Sequence, residues 1–289
     1  MKLRVLDLFS GIGGFSLGLE RTGGFETAAF CEYAEFPRKV LAKHWPDVPI
    51  YPDVRELTAE RFDADGLGPI DLICGGYPCQ PFSHAGKRLG AEDDRHLWPE
   101  MFRLIASLRP AWVIGENVAG HVSMGLDDVL SDLGTLGYSA QAFVIPACAL
   151  GASHRRDRTW VVAYGENERV DWRIGQQSHD CKSGAQWNFG QGRRGPDDGN
   201  KDVADPLRHN VQGFVSECLD SKRWAESHQR QVGSCGDGGG WWTPEPDVGR
   251  VAHGVPHRVD RLKALGNAVV PQIPEMIGRA ILQSMKEAA

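Results

Sequence analysis

Six short apolar runs between Leu3 and Ala163 constrain the fold more than any other feature of this chain. Most of them do not alternate with polar residues, which indicates strands that are buried on both faces of a sheet. Helical patterns lie between several of the runs, and the apolar stripe from Leu97 to Leu108 is the clearest of them. This alternation predicts an α/β fold with a mostly parallel sheet and covering helices. The predicted strands are Leu3–Leu8, Thr27–Cys31, Ile70–Cys74, Trp112–Gly115, Ala142–Ile145 and Thr159–Ala163.

The middle of the chain differs from both ends in composition. Residues 166–249 contain 13 of the 35 glycines but only nine Leu, Ile, Val or Met residues, so this segment cannot bury much apolar surface by itself. It is either a loosely built insert that orders on a partner or a partly disordered linker. After it, an amphipathic pattern from Ile273 to Ile281 predicts a last helix. We therefore expect an ordered α/β domain at 1–164, a small irregular region at 165–249, and a C-terminal segment at 250–289 that returns to the domain.

The composition argues against several classes of protein. No apolar run approaches the roughly 20 residues that a membrane-spanning helix needs, and the N-terminal sequence reaches Asp7 and Ser10 too early for a signal peptide. The seven cysteines include no Cys-x-x-Cys pair, and their odd number favours reduced thiols over a disulfide scaffold or a zinc ribbon. We expect a soluble, cytoplasmic protein with no membrane partner and no bound metal.

A glycine-rich turn follows the first predicted strand. Gly11, Gly13 and Gly14 permit positive φ and the close approach of a ligand, and the helix predicted after them presents free N–H groups at its start. A turn in this position is typical of nucleotide-binding crevices. Glu32 ends the second strand about 20 residues later, where a carboxylate commonly accepts ribose hydroxyls. Asp53 follows a further short strand, which lies between the second and third of the six strands named above, and the spacing favours an adenosine-containing ligand.

A cysteine lies in a proline-rich loop after the third predicted strand. Pro78 and Pro81 fix φ on either side of Cys79 and Gln80 and remove backbone donors, so we expect a stiff, exposed loop at the carboxyl end of that strand. A rigid, exposed thiol suits a nucleophile. Cys74, inside the strand, is more typical of an inert core thiol.

Charged residues flank two later strands. Glu116 follows the fourth predicted strand, which brings a carboxyl group to the same edge of the sheet as Cys79. In an apolar, closed environment its pKa would rise, and it would hold a proton near neutral pH. Arg156 and Arg158 precede the last predicted strand, and alternate residues of an extended segment share a face. We therefore expect the two guanidinium groups to point together, as contacts to an anion or a base would; a solvated run of charges is the alternative.

Five motifs follow one another in an order that one enzyme family shares. They are Asp7-Leu8-Phe9-Ser10-Gly11-Ile12-Gly13-Gly14, Gly76-Tyr77-Pro78-Cys79-Gln80-Pro81-Phe82-Ser83, Glu116-Asn117-Val118, Arg156-Asp157-Arg158 and Gly266-Asn267-Ala268-Val269-Val270-Pro271. With these motifs the sequence resembles the cytosine-C5 DNA methyltransferases over about residues 1–164 and 250–289. The resemblance implies a Rossmann-like S-adenosylmethionine-dependent methyltransferase fold with a small target-recognition region at 165–249.

The resemblance also implies the chemistry. Cys79 would be the nucleophile that adds to C6 of a cytosine flipped out of the duplex. Glu116 would contact N3 of that base and stabilise the developing charge. Arg156 and Arg158 would hold the flipped base or the nucleophile loop.

S-adenosylmethionine is the implied cofactor, with S-adenosylhomocysteine as the product. Glu32 would bind the ribose, and Asp53 would bind the adenine amino group. The other implied cofactor contacts are Phe9, Gly11, Ile12, Gly14, Tyr33, Val54, Gly76, Pro78, Leu97, Asn267 and Val269.

Double-stranded DNA is the implied partner. The net charge of −6 does not oppose this, because phosphate contacts depend on local charge, and residues 250–289 carry six basic residues against three acidic ones. We expect a basic cleft on an otherwise acidic body and a monomer, with a cognate restriction endonuclease left open as a second partner. The implied DNA contacts are Gln80, Ser83, Lys87, Arg88, Arg250, Arg258 and Arg261.

Two other functions stay open. A related tRNA cytosine-C5 methyltransferase typically carries Pro-Pro-Cys where this chain has Tyr77-Pro78-Cys79. A catalytically silent DNA-binding homologue would have no need of both Cys79 and Glu116. One departure from the family is His154, which stands where the arginine motif usually begins with Gln. The short insert is typical of compact phage or prophage members, so we expect a bacterial or phage-infected cell as the host.

Overall fold

The computed structural model describes residues 2–78, 97–123, 125–152, 154–165 and 258–287. The strands in these ranges are β1 (Leu3–Leu8), β2 (Phe25–Cys31), β3 (Ile50–Tyr51), β4 (Leu72–Gly75), β5 (Trp112–Val118), β6 (Tyr138–Pro146) and β7 (Asp157–Gly165). The helices are α1 (Gly14–Arg21), α2 (Glu35–His44), α3 (Ala59–Ala64), α4 (Trp98–Leu108), α5 (Leu126–Thr135), α6 (Arg258–Asn267) and α7 (Gln272–Glu287). Short 3-10 turns lie at Val54–Glu56, Ala119–Ser123 and Ala147–Leu150.

The seven strands of the described residues form one sheet in the order β3-β2-β1-β4-β5-β7-β6. β1 to β5 pair in parallel, and β7 pairs antiparallel with both β5 and β6. The chain proceeds outward from β1 in one direction to β3 and in the other direction through β4 and β5, so the strand order reverses between β1 and β4. In open α/β sheets a ligand crevice forms at such a point, beyond the carboxyl ends of the strands.

Apolar layers cover both faces of the sheet. On one face, side chains from α3, α4 and α5 such as Phe62, Met101 and Leu133 are almost completely buried. On the other face, α1 and α7 pack together through residues such as Leu19 and Ile277. Burial of a side chain of this size contributes about 1.5–3 kcal/mol. The α7 segment is therefore fixed beside the glycine-rich turn that precedes α1.

Close contact between α1 and the start of α7 depends on a glycine. A methyl group at Gly18 would overlap the carbonyl oxygen of Pro271, so only glycine allows the two elements to approach this closely. This contact brings the residues that precede α7 against the first turn of α1.

The predicted α/β fold with a mostly parallel sheet is confirmed. Each of the six predicted strands is present, Leu3–Leu8 with the predicted ends and the other five with one or both ends different, and the predicted last helix corresponds to α7. β5 continues to Val118, so Glu116 lies inside a strand that is paired on its far side with β7. The predicted region 165–249 lies almost wholly outside the described residues and stays a prediction.

Candidate active site

The glycine-rich turn after β1 has an unusual backbone. Phe9, Gly11 and Gly13 have φ values of 52°, 54° and 82°, and Gly13 is the residue that precedes α1. The Ser10 hydroxyl donates to the Asp7 carbonyl at 2.6 Å and fixes the start of the turn. An added Cβ at Gly11 would meet no protein atom within 4 Å. The turn therefore leaves open space beside Gly11, as a ligand cradle requires.

The carboxylate of Glu32 is directed at this turn. Its Oε2 atom accepts from the Gly11 N–H at 2.8 Å, and its Oε1 atom accepts from the Ala34 N–H at 2.7 Å. Glu32, at the end of β2, is therefore in direct contact with the glycine turn after β1, whereas its expected contact with a ribose stays a prediction. The neighbouring Tyr33 is 75% exposed, so its ring is accessible beside Glu32.

Asp53 is engaged with a neighbour in its own turn. Its Oδ1 atom accepts from the Arg55 N–H at 3.0 Å, and its Oδ2 atom lies 3.0 Å from Arg55 Nη2. Hydrogen bonds from Arg55 lower the pKa of Asp53. Val54, the next residue, is buried in the core, and its carbonyl accepts from Arg103. Asp53 is therefore ionised and held by Arg55, and the Val54 side chain packs in the core.

The C-terminal segment packs against one side of the glycine-rich turn. A Cβ at Gly14 would lie 2.6 Å from the carbonyl oxygen of Val269, so these two predicted cofactor residues are in direct contact. Val269 is partly buried against the core, whereas Asn267 is exposed. The remaining predicted cofactor residues in the described ranges, all half-buried, are Phe9, Ile12, Gly76, Pro78 and Leu97.

Arg156, the residue before β7, is hydrogen-bonded to this C-terminal segment. One of its guanidinium nitrogens, Nη2, donates to the carbonyl oxygens of Gly266 and Ala268, each at 2.8 Å. Burial is the main cause that lowers its pKa, and the nearby charge of Arg158 adds to it.

The premise that Arg156 and Arg158 lie in one extended segment, and therefore point together, is wrong. Arg156 has φ 41°, so it is not in an extended segment, and only Arg158 lies in β7. Arg156 turns to the carbonyl oxygens before α7, while Arg158 Nε lies 3.0 Å from Glu116 Oε1. Both charges nevertheless act on the same carboxyl group, since both lower the pKa of Glu116.

Glu116 is the buried acid of the site. Its side chain is 14% exposed, and burial raises its pKa above the ordinary value, partly offset by the charges of Arg158 and Arg156. A Cβ at Gly76 would lie 3.1 Å from Glu116 Oε2, so the carboxyl group contacts the peptide that follows β4. The expected raised pKa at this edge of the sheet is confirmed. Burial also raises the pKa of the Cys74 thiol, well above its ordinary value, as expected of an inert core cysteine.

Three residues at this edge, Tyr77, Asn117 and His121, had no individual role assigned to them from the sequence. The hydroxyl of Tyr77 lies 2.9 Å from His121 Nε2, and Asn117 Nδ2 donates to the Tyr77 carbonyl at 3.0 Å. The position of Asn117 next to Glu116 could have indicated a role in the site, whereas nothing in the sequence links His121 to Tyr77. Asp7 was also missed; it is fully buried, and burial raises its pKa to about 8.

Several predicted residues lie outside the described ranges. They are Cys79, Gln80, Ser83, Lys87, Arg88 and Arg250. The predicted DNA contacts Arg258 and Arg261 are exposed on α6. Among the described helices, none combines the length and apolar character that a bilayer crossing requires. The described residues also contain no group of three or more His, Cys, Asp or Glu side chains placed to hold a metal ion.

The fold and the site define an α/β domain of Rossmann-like architecture, with a nucleotide-type crevice and a buried acid at its sheet edge. The model of the C-5 cytosine-specific DNA methylase family matches residues 3–227. The chain belongs to this family, and the resemblance drawn from its five motifs is confirmed.

Individual relatives agree with this assignment. Type II methyltransferase M.HgiBI of Herpetosiphon aurantiacus is 35% identical over 175 residues, which cover 59% of this chain and 38% of that protein. Type II methyltransferase M.NgoMIV of Neisseria gonorrhoeae is 35% identical over 167 residues, which cover 56% and 52% of the two chains. The chain thus spans about half or less of the length of these relatives.

A solved structure supports the fold alone. The crystal structure of a triple mutant of Spodoptera frugiperda DNMT2 aligns with a TM-score of 0.50 and 23% sequence identity, over 58% of this chain and 51% of that chain.

Proposed function

We propose that this chain is a DNA cytosine-C5 methyltransferase that uses S-adenosylmethionine. The observation that carries the proposal is the position of Glu116. This buried carboxyl group, with its raised pKa, contacts Gly76 at the carboxyl edge of the sheet, three residues before Cys79. A proton donor next to the peptide that leads to a reactive cysteine is the pairing that attack on a pyrimidine ring requires.

The turn after β1 fits the proposed cofactor. Gly11 leaves open space, Glu32 presents a carboxylate beside it, and the contact between Gly14 and Val269 closes one side. Glu32 would bind the ribose hydroxyls, and the exposed ring of Tyr33 would cover the adenine. When bound, S-adenosylmethionine supplies an electrophilic methyl group on a sulfonium centre.

In the proposed mechanism, the thiolate of Cys79 forms a bond to C6 of the cytosine. Glu116 holds a proton at N3, which stabilises the charge that develops in the ring as C5 becomes nucleophilic. Arg158 keeps the carboxyl group of Glu116 in place. Once C5 has gained the methyl group, with S-adenosylhomocysteine as the leaving group, transfer of the C5 proton to solvent water and elimination of the Cys79 thiolate restore the C5–C6 double bond.

DNA is the proposed substrate, and the target base must leave the stack, because neither C5 nor C6 is accessible inside a duplex. Two relatives bear the name Type II methyltransferase, which supports a role in DNA modification with a companion endonuclease. Arg258 and Arg261, both exposed on α6, are proposed phosphate contacts. We assign the choice of target sequence to residues 165–249.

Bisulfite sequencing tests the proposal. The chain is expressed in a host that lacks cytosine methylation, and both its DNA and its tRNA are converted and sequenced. We expect 5-methylcytosine at one short sequence in the DNA. Methylation confined to tRNA, or none above background, would contradict the proposal.

Two variants test the role of the nucleophile. Cys79→Ser is expected to abolish methylation and to leave cofactor affinity unchanged, because it removes only the reactive sulfur. Cys148→Ser, which changes an exposed cysteine in a 3-10 turn, is the matched control and should methylate like the wild type. Retained activity in Cys79→Ser would refute the assigned role.

A further inference from the structure

The side chain of Tyr77 is buried and hydrogen-bonded, close in sequence to the proposed nucleophile. It is two residues before Cys79, it is 3% exposed, and its hydroxyl lies 2.9 Å from Nε2 of the equally buried His121. The rings of Tyr77 and His121 meet edge to face, with centroids 5.5 Å apart. Since a buried polar group that loses its partner costs about 1–3 kcal/mol, this hydrogen bond fixes the Tyr77 side chain.

The backbone of Tyr77 is fixed as well. Asn117 Nδ2 donates to the Tyr77 carbonyl at 3.0 Å, while Asn117 Oδ1 accepts from the Val118 N–H at 2.8 Å and sets the orientation of the amide. Asn117 is the residue after Glu116. The peptide that leads to Cys79 is therefore bonded to the strand that carries the acid.

Two glycines allow this peptide to lie directly on β5. A Cβ at Gly115 would be 3.0 Å from Cε1 of Tyr77, and a Cβ at Gly76 would be 3.1 Å from Glu116 Oε2. Both distances are shorter than an ordinary van der Waals contact, so a larger residue at either position would require the Tyr77 ring or the Glu116 carboxyl group to shift.

The Tyr77 ring also meets the start of α4. Its centroid lies 5.0 Å from that of Trp98, whose Nε1 atom donates to Asp132 at 2.7 Å. Tyr77 is thus contacted by β5, by the 3-10 turn after β5 and by α4. This packing leaves the Tyr77 side chain one position.

We propose that Tyr77 and His121 are positioning residues, whose buried hydrogen bond anchors the peptide from which the chain continues to Cys79. Neither residue touches the substrate in this role. The proposal rests on the proposed function, because it assigns to Cys79 and Glu116 a joint reaction. It goes further by naming the pair that anchors this peptide beside Glu116, two residues before the nucleophile.

The test is a set of variants that separates positioning from stability. Tyr77→Phe and His121→Phe each remove the Tyr77–His121 hydrogen bond, so both stability and the single-turnover rate should fall. The double variant removes both polar groups of this bond, so it should be more stable than the less stable single variant. We expect its methyl-transfer rate to stay about tenfold to a hundredfold below wild type, since small misplacements of reacting groups have effects of this size. Cofactor affinity should be unchanged throughout.

A conservative variant and a matched control complete the set. His121→Gln keeps a polar partner for the Tyr77 hydroxyl and should recover most of the rate. Tyr138→Phe removes another buried tyrosine hydroxyl, which donates to the Pro110 carbonyl at 2.6 Å where β6 begins, at the opposite edge of the sheet. It should lower stability and leave the rate per folded molecule unchanged.

The reactivity of the Cys79 thiol gives a readout that needs no DNA. In a Cys148→Ser background, the rate of iodoacetamide alkylation at Cys79, mapped by mass spectrometry, should change in Tyr77→Phe and in the double variant but not in Tyr138→Phe. A double variant with both wild-type stability and a wild-type rate would overturn the positioning role. A wild-type protein without methyltransferase activity would instead contradict the proposed function, and the alkylation rates would still test the link from Tyr77 and His121 to Cys79.

Discussion

Arg158 Nε lies 3.0 Å from Glu116 Oε1, and both side chains are largely buried, with 23% and 14% of their surface exposed. Burial raises the pKa of Glu116, and the charges of Arg158 and Arg156 act in the opposite direction. The guanidinium group thus orients the carboxyl group and limits the rise of its pKa. The protonation of Glu116 at a given pH is set by this balance.

Glu116→Gln should slow methyl transfer about 10²- to 10⁴-fold in a single turnover, because the amide cannot deliver a proton to N3 of the cytosine. Cofactor affinity should be unaffected, since the amide has the same size and shape as the carboxyl group. Rapid-quench measurement with radiolabelled methyl groups gives the rate. Glu35→Gln, in an exposed ion pair with Lys39, is the matched control and should behave like the wild type.

The pH dependence of the reaction should respond to Arg158. A group that acts as an acid is active below its pKa, so the rate should fall as pH rises through the pKa of Glu116. Because Arg158 lowers that pKa, Arg158→Gln should move this fall to higher pH, even though the maximal rate decreases. Rate profiles between pH 5 and 9 check the shift. A fall at unchanged pH would show that another group is responsible.

Arg156 should affect cofactor binding more than the chemical step. Its two hydrogen bonds hold the Gly266 and Ala268 carbonyl oxygens, next to Val269 in the wall of the cofactor turn. The ammonium group of Arg156→Lys lies at the end of a shorter side chain and would reach the two carbonyl oxygens poorly, so the KM for S-adenosylmethionine should rise several-fold while kcat changes little. Arg155→Lys is the control, because Arg155 has an 82% exposed side chain and only a surface ion pair. A fall in kcat alone would assign Arg156 to the substrate instead.

Gly14→Ala should weaken cofactor binding and destabilise the protein by about 1–3 kcal/mol, because the new methyl group would lie 2.6 Å from the Val269 carbonyl oxygen. Isothermal titration calorimetry and thermal unfolding measure the two effects. Gly134→Ala, in α5, meets no atom within 4 Å and should be neutral or slightly stabilising, as expected for alanine in a helix. Equal results for the two variants would contradict the proposed close packing.

Local patterns in the sequence were sufficient to predict the α/β sheet and the strand ends that carry much of the site. The apolar runs predicted the strands, and the strand ends predicted that Glu32 follows β2 and that Glu116 reaches the carboxyl end of the sheet. Those predictions succeeded because each depends on one strand and the residues that follow it.

Contacts between distant segments could not be predicted in the same way. The left-handed backbone of Arg156 accompanies bonds to carbonyl oxygens 110 and 112 residues later in the chain, which no local pattern encodes. Likewise, His121 and Tyr77 are 44 residues apart and meet only because β4 and β5 are neighbours in the sheet. The positions that fix the geometry of the site depend on the tertiary fold.

Asp7 should make stability depend on pH. It is fully buried in β1, its Oδ2 atom accepts from the Ser16 hydroxyl at 2.7 Å, and its Oδ1 atom has no hydrogen-bond partner. Burial raises its pKa from 3.8 to about 8, so the folded protein keeps a proton that the unfolded chain loses above pH 4. The free energy of unfolding should therefore decrease as pH rises from about 4 to about 8.

Asp7→Asn removes this titration and keeps the shape of the side chain, so its free energy of unfolding should decrease less steeply over the same pH range. Chemical denaturation at several pH values between 5 and 8 measures both slopes. Asp47→Asn, which changes an exposed residue, controls for the loss of one charge and should keep the wild-type slope. If Asp7→Asn and the wild type showed the same slope, Asp7 would be ionised in the folded protein, and its burial would have to be balanced by contacts other than those with Ser16.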